Sequence, residues 1–423
     1  MRQKLGLLGD RDFRHFFLAA AVSQFGSQVS MLALPLAAVL ALHASPFAVG
    51  VLAACETAAF LLVGLPAGAW VDRMRRRQVL VVSDLGRMAV LGSVPAAWAL
   101  GVLSMPQLYS VALITGVLTV FFDVASQSYL PHLVGRDALP EGNTKLEVVR
   151  GVSQVSGPTF AGLAVQALTA PVAVLADAAS FALSALFLRG IHRPEQLPVR
   201  EPGARLRTEI MQGLRFVLGN AVLRPIAIST ATFNLFAAIT NVMLIVLLSR
   251  ELRQSAGTIG LFFSVASAGG LAGALVATRI SARLGQGPTI WLSQLATGLF
   301  GLGLPLAQAG WPLWGAAFAF SASCAAIAVY NITQLSLRQR LTPDPLLGRM
   351  NATMRWMVWG TLPLGGLAGG VLGASFSPRA ALWVAAVGGL SASAPLMLSP
   401  LRTMRQHAVP AGPRQRLAPE IPD

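Results

Sequence analysis

Apolar residues run along this chain in stretches of twenty or more, separated by short polar breaks, and the pattern repeats from end to end. An α-helix rises 1.5 Å per residue, so about 20 apolar residues cross a hydrocarbon core of about 30 Å. The breaks set spans near 15–41, 46–70, 78–99, 107–130, 146–168, 171–189, 225–249, 257–278, 287–307, 312–337, 350–373 and 380–400. The pattern predicts an all-α polytopic membrane protein with twelve transmembrane helices. A hydrophobic fraction of 54% against 12% charged residues agrees with that class and not with a soluble one.

The formal charge of +15 would suit a nucleic-acid partner if it formed a patch. It does not. Of the 32 Lys and Arg residues, 27 fall at the termini and in alternate loops, three (Arg250, Arg253, Arg379) in the other loops, and two (Arg87, Arg355) inside spans. That bias is the positive-inside signature, and it implies an even number of spans with both termini in the cytoplasm. No nucleic-acid partner is expected. The first apolar run is too long for a cleavable signal peptide and lacks a cleavage site. Cys55 and Cys324 both lie inside apolar runs, where a disulfide or metal site is not expected.

Polar residues within the spans carry the candidate chemistry. Ser23, Gln24, Ser27, Gln28 and Ser30 recur at helical spacing on the first span, as either a cavity lining or a helix-packing face. Glu56 lies near the middle of the second span. An ionised carboxylate there costs at least about 2.5 kcal/mol, so it either exchanges a proton in a water-filled cavity or pairs structurally. Asp84 and Arg87, three residues apart, form a local pair in a charge network with Arg150. Asp123 either joins that network or lines a cavity as a second proton-coupling candidate. Asp177 is expected near the outer end of its span, partly hydrated. Gly157, Pro158 and Gly162 bring close backbone approach and a lost helix hydrogen bond to the fifth span, and suggest a pivot.

Between residues 189 and 224 hydropathy collapses and prolines gather, which marks a cytoplasmic linker. Ile210, Leu214, Val217 and Leu218 share one face of an amphipathic helix in its second half. A shift of 208 residues aligns Phe25 with Phe233, Phe122-Asp123 with Tyr330-Asn331, and Gly157 and Gly162 with Gly365 and Gly370. The expected organisation is a six-helix half over 1–188, a linker over 189–224, a second half over 225–400, and a disordered cytoplasmic tail over 401–423. A site between such halves lies near the midplane. Its lining candidates are Gln24, Phe25, Gln28, Phe122 and Gln127 from the first half, with Phe233, Asn234, Asn241, Tyr330, Asn331 and Gln334 from the second.

The turn after the second span reads Gly68, Asp72, Arg73, Arg76 and Arg77, with Arg75 between them. In that spacing the chain resembles the major facilitator superfamily, whose cytoplasmic hairpin between helices two and three carries this motif, usually with glycine where Arg75 stands. VDRMRRRQVLVVSDLGR, LPEGNTKLEVVRGVSQVSGP and DAASFALSALFL are most similar to the bacterial enterobactin-exporter and macrolide-efflux group. Gly157-Pro158 with Gly162 resembles that family's antiporter motif, while its helix-four arginine motif is absent here. The resemblance implies two six-helix halves and a conformational gate built on Gly68, Asp72, Arg73, Arg76 and Arg77. It also implies a transporter and not an enzyme, working by alternating access in a bacterial inner membrane. The expected partners are the lipid bilayer and a small amphipathic substrate, for a monomer that needs no cofactor beyond a proton gradient. Proton-coupled export is the leading expectation; an uncoupled facilitator or importer, and a non-transporting sensor or scaffold, stay open.

Overall fold

A computed structural model of the chain describes residues 6–71, 73–135, 138–193, 195 and 206–404. Of the tail expected to be disordered over 401–423, residues 401–404 are ordered, in a short helix Pro400–Thr403 with Leu401 fully buried, and 405–423 lie outside the described residues, as do residues 194 and 196–205 of the linker. Among the described residues the ordered elements are all helical. In the first half these are α1 (Arg11–Leu36), α2 (Pro46–Leu62), α3 (Gly64–Val71), α4 (Arg76–Ala99), α5 (Met105–Val134), α6 (Leu139–Leu168) and α7 (Ala170–Arg189). After α8 (Leu206–Gly219) come α9 (Leu223–Val246), α10 (Ala256–Leu284), α11 (Gln286–Gly301) and α12 (Trp311–Leu341). The chain continues with α13 (Asp344–Trp359), α14 (Leu362–Ser375), α15 (Pro378–Ser391) and the short α16 (Ala394–Met397).

Ten helical segments among the described residues are long and apolar enough to cross a membrane. The broken pair α2–α3 and the glycine-rich α6, with its charged first turns, complete twelve crossings. Local chemistry explains the boundaries. Asp10 accepts from the amides of Asp12 and Phe13, both at 2.9 Å, and starts α1. Ser45, Ser255 and Ser377 cap α2, α10 and α15 in the same way. Proline occupies the first turn of α2, α5, α6, α7 and α12, where its missing N–H costs nothing.

Within the first half α1 packs on α6 and α7, α4 on α5 and α7, and α2 on α5; in the second, α9 packs on α14 and α15, and α12 on α10 and α11. Two helix pairs join the halves, α2 with α14 and α6 with α10. Both pairs are tightest at the end of the bundle remote from the chain termini. A β-carbon on Gly50 would stand 2.6 Å from both the carbonyl oxygen of Gly366 and the Cα of Gly370; one on Gly162 would stand 3.0 Å from the Cα of Gly260. Only a residue without a side chain permits such backbone contact. At the same end Arg250 donates to the carbonyl of Ala44 across the halves.

Toward the termini this contact ends. Leu61 still reaches Gly360, and the Phe60 and Trp359 rings meet edge-on at 4.5 Å. Gly64 and Gly68 of α3 have no neighbour within 4 Å of where a β-carbon would lie. The bare backbone contact between the halves is therefore concentrated at the far end, while toward the arginine-rich turns α3 approaches α13 more loosely, with open space beside Gly64 and Gly68. The linker helix α8 docks on the second half instead of lying free on the membrane surface. Val217 is fully buried against Met350 and Met354, Gly213 lies against Arg349 and Thr353, and Leu218 from the expected apolar face stays exposed.

Candidate functional site

The parting between the halves is walled by α2 and α5 on one side and by α13 on the other. Successive α2 residues Val49, Ala53, Glu56 and Phe60 share one helical face, and Phe60 touches Trp359 of α13. Glu56 is half-buried on that face, and among the described residues no ion pair reaches it. Asp123 of α5 is half-buried too, and feels the charges of Arg87, Arg355 and Arg150. Arg355 is the counterpart from the second half: its guanidinium lies 5.2 Å from the Trp359 ring centroid and 5.9 Å from that of Phe60. Asp123 of one half and Arg355 of the other thus share the cleft with two aromatic rings, and Glu56 lies one helical turn from Phe60, a lining that suits an amphipathic solute.

Asp84 and Arg87 form the expected pair, and it is buried. Arg87 is bonded to Asp84 and held between the rings of Phe122 and Phe181, at 4.4 and 4.0 Å. Ser184 donates to the other oxygen of Asp84 at 2.6 Å. Arg150 stands apart from this pair and bonds Glu147 at 3.7 Å. Phe122, a lining candidate, is committed to the Arg87 sandwich. Asp177 differs from its expected hydrated position: it is 1% exposed, accepts from Ser180 at 3.0 Å, and packs on α1 where Gly26 leaves room.

The other lining candidates divide. Gln24, Gln127, Asn241 and Asn331 are exposed. Phe25 packs edge-on against Phe160 at 5.3 Å, and Gln28 lies against Gly157. Asn234 donates to the carbonyl of Val358 at 3.2 Å and ties α9 to α13, whereas Phe233 faces a cavity inside the second half. Tyr330 and Gln334 belong to the interior and not to a surface. Tyr330 is fully buried and shares a 2.7 Å hydrogen bond with Thr230, and Gln334 accepts from Arg338 at 3.1 Å. Aromatic and amide character on a span suggests a lining equally well whichever way the side chain turns.

Of the motif residues in the turn, Asp72 lies outside the described residues. Gly68 faces open space and Arg73 is exposed. Arg76 and Arg77 start α4, and their backbone amides donate to the carboxylate of Glu195 at 2.7 and 3.2 Å. The Arg77 guanidinium donates to the carbonyls of Leu188 and Arg189 at 3.1 and 2.7 Å and closes the end of α7. Glu195, on the linker, had no sequence signal for this role. Arg355 had one, as a charge inside a span. In α6 the helix runs unbroken through Pro158; Gly157 packs within its own half on α1, while Pro158 and Gly162 meet Gly260 of the other half.

A model of the family described as Major Facilitator Superfamily matches residues 16–361 and again 226–420. The chain is 29% identical over 221 residues to the multidrug efflux pump Tap of Mycolicibacterium fortuitum, across 50% of this chain and 53% of that protein. It is 26% identical over 353 residues to the enterobactin exporter EntS of Escherichia coli O127:H6, across 80% of each chain. Among solved structures, a mutant of the nucleoside transporter NupG superposes with a TM-score of 0.75 at 13% identity, over 91% of this chain and 98% of that one. At that identity the likeness concerns the fold.

Proposed function

The chain belongs to the major facilitator superfamily of membrane transporters, and we propose that it is a secondary exporter, moving a small amphipathic molecule out of a bacterial cell against proton entry. The observation that carries this reading is the pair of carboxyls, Glu56 and Asp123, on the wall of the cleft between the halves, neither of them joined to a cation by an ion pair among the described residues. A cleft carboxyl without a fixed partner can take a proton from one side and release it to the other as the halves rock. The relatives named as an efflux pump and an exporter support the direction. The aromatic pair Phe60 and Trp359 beside Arg355 supports an amphipathic cargo with a ring or alkyl body.

In this reading the arginine-rich end is cytoplasmic, both termini lie there in the inner membrane, and the conformation described is open to the cytoplasm. The two six-helix halves move as units joined by the 189–224 linker. The hairpin with Gly68, Asp72, Arg73, Arg76 and Arg77 latches the other end state. The adjacency of α3 to α13 supports this: closing the gap at Gly64 and Gly68 brings the hairpin onto the second half. The test is uptake of a fluorescent amphiphile into inverted vesicles with an imposed pH gradient. Glu56→Gln and Asp123→Asn are each expected to abolish gradient-driven accumulation while leaving exchange of cargo across a de-energised membrane. If both variants accumulate cargo like the unmodified protein, the coupling assignment is wrong; accumulation that ignores the gradient in the unmodified protein would make it a facilitator.

A further inference from the structure

We infer that the second half holds a binding site of its own for a small uncharged amphiphile, at the place where the first half keeps its buried ion pair. The halves correspond residue by residue through their first three spans at a separation of 210, not 208. The first span of each ends in a π turn, Ala37–Ala41 and Leu247–Glu251. Each turn is followed by a residue with positive φ, His43 at 52° and Arg253 at 49°, and then by a serine cap, Ser45 and Ser255. On the third spans buried Val79, Leu80 and Ser83 recur as buried Thr289, Ile290 and Ser293. On the last spans the separation is 208, where buried Ala173, Val174 and Ala178 recur as buried Ala381, Leu382 and Ala386.

In these registers Arg87 becomes Thr297, Phe181 becomes Gly389, Asp177 becomes Ala385 and Asp84 becomes Gln294. A guanidinium, an aromatic ring and a carboxylate have been replaced by three small side chains, and the volume is not recovered. A cavity of about 60 Å³ remains between α9, α11, α12 and α15, lined by those three residues and by the rings of Phe233, Phe236 and Phe320. The helix pair is also held apart differently. Gly26 lets α1 settle on Ser180, whereas Phe236, at the position of Gly26, stands against Gly388, at the position of Ser180. Ser23 and Gly26 are accordingly buried, and their counterparts Phe233 and Phe236 are only half-buried because they face the cavity.

The polar groups say what the space accepts. Gln294, at the position of Asp84, is 0% exposed and its amide has no hydrogen-bond partner, but it lies outside the cavity lining. It lies one turn from Thr297 on the same face of α11, as Asp84 lies from Arg87. Thr240, Thr297 and Ser323 each donate to a backbone carbonyl, at 3.0, 2.8 and 2.9 Å, and keep acceptor capacity toward the cavity. No lining residue is charged, so an ion would be buried without compensation. At about 60 Å³ the match is a short alkyl body against the phenylalanines, with one hydroxyl or amide. This site is inside one half and does not depend on the transport reading.

The probe is 2-fluoroethanol, titrated into the full-length protein in lipid nanodiscs and followed by fluorine NMR against empty nanodiscs of the same lipid. A bound resonance that saturates at one equivalent is expected. Gly389→Phe returns the ring of Phe181 to a position where an added β-carbon meets nothing within 4 Å, and should weaken binding at least tenfold with no loss of thermal stability. If Gly389→Phe fails to fold, Thr297→Met fills the cavity from the opposite wall and is held to the same tenfold criterion. No saturable signal beyond the empty discs, or an affinity within twofold in the filled variant, overturns the site.

Discussion

Substituting valine for Gly50 tests whether the far-end closure depends on bare backbone contact. In the conformation described, the first added carbon would lie 2.6 Å from Gly366 O and Gly370 Cα and 2.8 Å from Gly370 N, against ordinary contact at 3.4–4 Å. All three are backbone atoms of α14 and cannot swing away, so the helix must retreat by about 1 Å. Overpacking of this kind costs about 1–3 kcal/mol. The cost applies only while α2 and α14 touch at this end, so it becomes a shift of about 5- to 150-fold toward the far-open state. The assay is pulsed electron–electron spin resonance between labels at Leu100 and Trp311, which are 77% and 88% exposed, one on each half, in a Cys55→Ser/Cys324→Ser background. Gly50→Val should move the distance distribution outward. Gly64→Val, past the break at Val63 and in open space, should not. A Gly50→Val distribution that superimposes on the parent, in protein that is folded and inserted, would refute the reasoning.

Two further perturbations follow from buried or shared charges. Asp84→Asn leaves Arg87 in the interior without its counter-ion, and breaking such a pair costs about 3–5 kcal/mol; thermal unfolding in detergent should show a large loss, much of it recovered by the double change Asp84→Leu/Arg87→Met. Arg77→Ala removes the charged donors that close the end of α7, an expected loss of about 2 kcal/mol, and Arg77→Lys should recover less than half because an ammonium cannot reproduce the two-pronged geometry. Equal stability of Arg77→Ala and the parent would place the role of Arg77 outside the conformation described.

Much of this protein follows from patterning along the chain. Run length and breaks are one-dimensional properties, so twelve crossings, their positions to within a few residues and a two-half architecture were legible without coordinates; the spacing Gly68, Asp72, Arg73, Arg76 and Arg77 pointed to the family for the same reason. The Asp84–Arg87 pair was also local, being one turn of helix. What depended on packing was every question of direction around a helix or distance between helices. Tyr330 and Gln334 looked like cavity residues because an aromatic ring and an amide suit a lining, but rotation of α12 turned them into the interior. Asp177 seemed close to water by its depth and is buried because Gly26 of another helix admits it. Gly50 lies more than 300 residues from Gly366 and Gly370, and their contact exists only when the halves meet. Arg87 and Thr297 become comparable only once the π turns and serine caps set the register at 210. The cavity beside Thr297 is a difference in volume between two packed bundles, a quantity that no single stretch of residues contains.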